Sequence, residues 1–95
     1  DMDAAAEARR TEEILAELER LDAPSCADCA TGLCGHAWVI NVAMGFRNEP
    51  RCVPCLAAAL DREAGEFLAD VKEYLMARAC YRAGWEWASA HGGTL

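Results

Sequence analysis

Apolar residues recur at intervals of three and four along most of this chain, which predicts helices separated by short polar or cysteine-rich breaks. From about Ala4 to Leu21, Ile14, Leu15, Leu18 and Leu21 share one helical face. Glu12, Glu13, Glu17, Glu19 and Arg20 fill the other. This is an amphipathic helix whose stripe needs a partner surface, because an isolated helix of this length is marginal in water. Asp22, Ala23 and Pro24 are expected to end it, since a proline pushes the residue before it out of the helical region.

A second, nearly all-apolar run extends from His36 to Phe46, long enough for three helical turns and also compatible with a buried strand; its helical neighbours favour helix. Arg47 to Pro50 reads as a turn. Pro54 suits the first turn of a new helix running from about Val53 to Leu60, where its missing N–H leaves no bond unmade. Beyond Asp61, read as an N-cap or a junction residue, Phe67, Leu68, Val71, Tyr74, Leu75 and Ala79 continue the periodicity through Cys80 to about Ala90, which predicts one long final helix. His91 to Leu95 reads as a frayed tail. The expectation is a mostly α, single-domain chain over residues 1–95: about four helices, with a cysteine-rich loop between the first and second.

The breaks carry the chemistry. Six cysteines occur in 95 residues, four of them as Cys26-x-x-Cys29 and Cys52-x-x-Cys55, with Cys34 and His36 between the pairs. Two thiolates three residues apart reach one ion without backbone strain, and a second pair completes a tetrahedral set. The candidate metal ligands are therefore Cys26, Cys29, Cys52 and Cys55, with Cys34 and His36 available. The spacing favours structural zinc, with a [4Fe–4S] or [2Fe–2S] cluster as the alternative. Cys80, inside the last predicted helix, reads as a buried apolar thiol or as a further ligand or crosslink to the loop cysteines.

Two other readings compete. Cys52 and Cys55 lie at a predicted helix N-terminus, where the macrodipole favours thiolate, so they form a candidate catalytic dithiol for redox or sulfur-transfer chemistry. An exported domain stapled by disulfides and free of metal is the other, because small exported domains lean on crosslinks. Either crosslinks or metal would matter at this length, which buries only about 60–65% of the unfolded surface.

Composition narrows the roles. The formal charge of −7 and isoelectric point near 4.7 argue against nucleic acid, whose binding depends on Lys and Arg contacts to phosphate. No apolar run approaches the roughly 18 residues that span a bilayer. No Ser/His/Asp set, phosphate-cradling glycine loop or His-Glu-x-x-His stands in the sequence, so beyond the Cys52/Cys55 alternative no catalytic activity of its own is expected. Trp85 and Trp87, two apart on one helix, face different ways, so at least one is expected at a surface. Together with the apolar helix faces they suggest docking on a larger protein or a second copy. A cytoplasmic location is expected, with export after removal of a leader as the alternative.

Overall fold

The computed structural model describes residues 2–21 and 24–95, so the expected helix stop at Asp22 and Ala23 lies outside the described residues. Among the described residues five helices follow in order: α1 (Met2–Glu19), α2 (Gly35–Met44), α3 (Val53–Ala59), α4 (Ala64–Met76) and α5 (Ala79–Ala90). Among the described residues there is no strand, only an isolated bridge between Ser25 and Gly32.

The apolar periodicity does what it predicts. Ile14 and Leu18 of α1, Val39 and Ile40 of α2, Leu56 of α3, Phe67, Val71 and Leu75 of α4, and Cys80 and Trp85 of α5 form one core. The helix α5 packs most extensively against α1 and then against α2, while α3 reaches the rest mainly through α4. Burying these side chains is the main force holding the helices together, at about 1.5–3 kcal/mol for each large one.

Two sequence expectations need correcting. The predicted long helix from Asp61 to Ala90 is two helices, which raises the total from four to five. Ala77 closes α4, and Arg78 turns extended (φ −116°, ψ 125°) before α5 starts. The break has a remote cause: the Glu7 carboxylate of α1 accepts the Ala79 N–H at 3.1 Å and supplies the cap that the local sequence lacks. The second correction concerns the start of α4, where Glu63 is the N-cap and Asp61 is the junction residue between α3 and α4. The Glu63 side chain accepts the Glu66 N–H, and Asp61 itself adopts a left-handed conformation in the preceding turn.

Candidate metal centre

The segment before α2 folds into a tight turn. The Cys26 N–H donates to the Thr31 carbonyl at 2.8 Å and the Ala30 N–H to the Cys26 carbonyl at 3.0 Å, which turns the Cys26 and Cys29 side chains toward one another. The second pair comes from elsewhere. Cys52 precedes α3 and Cys55 lies in its first turn, beside Pro54, where the sequence places them. The centre thus does not sit wholly in the cysteine-rich loop between α1 and α2: that loop supplies half of it, and the chain after α2 supplies the rest.

The four sulfur atoms of Cys26, Cys29, Cys52 and Cys55 all lie within 4.8 Å of one another. Cys29 Sγ and Cys52 Sγ are 3.7 Å apart. A zinc ion held at about 2.3 Å by four thiolates sets them about 3.8 Å apart at the edges of the tetrahedron, so this spacing matches a single ion. Cys26 is buried, Cys52 and Cys55 half-buried and Cys29 exposed, which puts the centre at the surface with one sulfur facing solvent.

Electrostatics divide the four into two kinds. Burial works against ionising Cys26, but the peptide N–H groups of Cys52, Cys29 and Asp28 around its sulfur outweigh it and bring its pKa down to about 6. The Thr31 hydroxyl and N–H lower Cys29 in the same way. Burial and the neighbouring sulfurs of Cys29 and Cys26 push Cys52 up, and the sulfurs of Cys52, Cys26 and Cys29 push Cys55 far above its ordinary value. Two unit charges 4 Å apart repel by about 4 kcal/mol at an effective dielectric constant of 20. Four thiolates in this space need a cation. Crowding by the other sulfurs thus works against the thiolate form of Cys52 and Cys55 at the start of α3.

Outer residues hold the two halves in register. Ala27 N–H donates to the Pro50 carbonyl at 2.8 Å, joining the first turn to the segment before Cys52. Arg51 Nε donates to Asp28 Oδ2 at 2.8 Å across the same seam. Behind them Asn41, fully buried in α2, uses its side-chain amide to donate to the Arg51 carbonyl and to accept the Arg51 N–H. Asn41 and Arg51 are positioning residues the motif spacing does not reveal. The signal for Asn41 was present, since it is the one strongly polar side chain between Ala37 and Phe46.

Cys34 and His36 are not gathered with the four. Cys34 precedes α2, where burial disfavours its ionisation but the Thr94 N–H and hydroxyl and the first-turn N–H groups of Ala37 and His36 hold its pKa below the ordinary value. None of these first-turn groups makes a true capping hydrogen bond to the sulfur. His36 is buried, stacked on Trp85 with ring centres 4.1 Å apart, and within 2.8 Å of Ser89 Oγ through Nε2. Cys80 is buried in the core, away from the centre.

The two tryptophans differ in depth. Trp85 is only 6% exposed, and Trp87 is half-buried and covered on one face by His91 at 3.8 Å. The large apolar side chains left exposed are instead Met44, Leu60, Tyr74 and Leu95. Among the described residues, no helix is long and apolar enough to cross a membrane. No protein-family model, curated protein or solved structure matches the chain.

Proposed function

We propose that this chain is a small helical module in which Cys26, Cys29, Cys52 and Cys55 hold one structural zinc ion, and that the folded module serves as an accessory or interaction subunit of a larger protein. One observation carries the reading: all four sulfurs lie within 4.8 Å of one another, drawn from two Cys-x-x-Cys turns 22 residues apart in sequence. An iron–sulfur core standing between the ligands would spread them further, so the spacing favours a single ion over a [4Fe–4S] or [2Fe–2S] cluster. Four thiolates fill a tetrahedral ion completely and leave no open position for a substrate, which suits a structural role.

The ion would join the loop before α2 to the start of α3 and add roughly 10 kcal/mol or more of binding free energy. That rivals the whole net stability of an ordinary domain, about 5–15 kcal/mol. Docking on another protein is supported by Met44 and Tyr74, which stand exposed beside Ala43, Phe67 and Val71 around a cavity of about 360 Å³ between the end of α2 and α4.

Metal analysis of protein purified without air, combined with circular dichroism before and after chelation, tests the proposal. About one zinc per chain and loss of helix on chelation are expected. Iron with absorption near 400 nm would move the reading to a cluster, and a metal-free protein that keeps its helices and six free thiols would overturn it in favour of dithiol chemistry.

A further inference from the structure

The residues after α5 do not fray. The Gly93 N–H donates to the Ala88 carbonyl at 2.7 Å, turning the chain back toward the start of α2. Gly93 then lies so close to the His36 ring that a Cβ there would fall 2.6 Å from Cε1, so no other residue fits this approach. Thr94 lines the same cavity as Cys34, and its N–H and hydroxyl favour the Cys34 thiolate. The Leu95 N–H donates to His36 Nδ1 at 3.0 Å. Cys34 and His36, the candidate ligands left outside the metal centre, are thus both occupied by residues 93–95.

The hydrogen bonds fix the state of the imidazole. A backbone N–H can only donate, so Nδ1 must present its lone pair. The ring proton therefore sits on Nε2 and points to Ser89 Oγ, whose own proton goes to the Trp85 carbonyl at 3.1 Å. A second proton on the ring would enter at Nδ1 and face the Leu95 N–H directly. We propose that residues 91–95 form a pH-sensitive strap, latched while His36 is neutral and released when it is protonated, and that release opens the cavity lined by Cys34, Cys52, Pro54, Thr94 and Leu95. That cavity holds about 400 Å³.

The surroundings favour the neutral ring. Burial lowers the His36 pKa, and so does the positive charge of Lys72 from α4, whose Nζ lies 5.6 Å from the centre of the Trp85 ring on which His36 stacks; the Trp85 carbonyl opposes them. Just before α2 the titratable neighbour is Cys34. The helix α5 supplies Trp85 and Ser89, and α1 brings Leu18 toward Gly35. His91, at the root of the strap, lies 2.7 Å from the Trp87 carbonyl through Nδ1 and stacks on the Trp87 ring rather than on His36. Since the Leu95 N–H can bond only the neutral ring, the stabilisation by the closed strap is complete above the ordinary value of about 6.5 and is lost as pH falls.

The test is nuclear magnetic resonance of the protein as purified, following the backbone ¹⁵N relaxation of Gly93 and Leu95 and the His36 ring signals from about pH 8 to about pH 5.5. The expected result is that both amides become mobile as the ring titrates, while the amides of Ala27 and Ala30 at the metal centre do not change. His36→Gln, which keeps an acceptor and a donor without titrating, should hold the strap closed throughout. Gly93→Ala should free the strap at every pH and raise the His36 pKa toward its ordinary value, which keeps the test open should His36→Gln fail to fold. Strap amides that stay ordered while His36 titrates would overturn the proposal. So would loosening of Ala27 and Ala30 at the same pH, or an unshifted His36 in Gly93→Ala.

Discussion

Asn41 and Arg51, ten residues apart in sequence, behave as a backbone pair: the Asn41 amide donates to the Arg51 carbonyl at 2.7 Å and its oxygen accepts the Arg51 N–H at 2.9 Å. The second Asn41 donor satisfies the Ala37 carbonyl within α2 at 2.8 Å. A side chain buried in the core thereby fixes the peptide that leads into Cys52. Replacing it with alanine leaves the Arg51 polar groups short of partners and opens a cavity. Asn41→Ala should lower stability by about 2–3 kcal/mol and weaken zinc affinity roughly 10–100-fold, as loss of outer-shell support does elsewhere. Competition with a chromophoric chelator measures the affinity, and an unchanged value would show that Cys52 is positioned without Asn41.

The six cysteines should separate cleanly by substitution. Cys26→Ser, Cys29→Ser, Cys52→Ser and Cys55→Ser each remove one corner of the sulfur group. Each should abolish stoichiometric zinc binding and leave a chain that unfolds several kcal/mol more easily than the loaded parent. Cys34→Ser should keep one zinc. Cys80→Ser should also keep its zinc but lose about 1–3 kcal/mol, because it buries a hydroxyl in an apolar core. Zinc stoichiometry by mass spectrometry under native conditions decides each case, and loss of zinc in Cys34→Ser would mean that the ligand set is drawn wrongly.

What the sequence makes legible follows from how local each cause is. The apolar stripes of α1 and α4 and the proline in the first turn of α3 act within a few residues, so their periodicity reads directly as helix. The doubled Cys-x-x-Cys is equally local. The break between α4 and α5 depends on Glu7, 72 residues away, and is invisible in a stretch without glycine or proline at the junction. Gly92 and Gly93 read as a frayed end for the same reason, since the ring of His36 that makes glycine necessary there is remote in sequence. The surplus of Cys34 and His36 over the needs of one ion was legible, but not the strap that occupies them.

The unequal thiols predict how affinity for the proposed zinc ion varies with pH. At neutral pH Cys26, with its pKa near 6, is already ionised and Cys29 is biased the same way, so binding must displace chiefly the protons of Cys52 and Cys55. Each proton displaced makes affinity rise tenfold per pH unit, and so fall as pH drops. Below about pH 6 Cys26 must also be stripped of a proton, and the dependence steepens. Calorimetric titrations in buffers of different ionisation enthalpy count the released protons. A release that does not change between about pH 5.5 and about pH 8 would contradict the assignment of Cys26 as the preformed thiolate.

Gly84 tests the packing that carries all of this. In the middle of α5 an alanine is intrinsically better than glycine by about 1 kcal/mol, so propensity alone predicts that Gly84→Ala stabilises. The contacts predict the opposite. A Cβ at Gly84 would sit 2.9 Å from Cγ2 of Ile14 in α1 and 3.3 Å from Cγ2 of Val39 in α2. Both neighbours are β-branched and buried, and neither can rotate away without disturbing the core. Overpacking of this kind costs about 1–3 kcal/mol, which exceeds the propensity gain. Gly84→Ala should therefore lower Tm by roughly 4–8 °C for each net kcal/mol lost. Ile14→Leu moves the branch away from Cβ and removes the nearer obstacle, so the double variant should recover part of the loss despite carrying a second core substitution. Additive effects in that cycle would show that α1 and α5 do not meet at Gly84 as described.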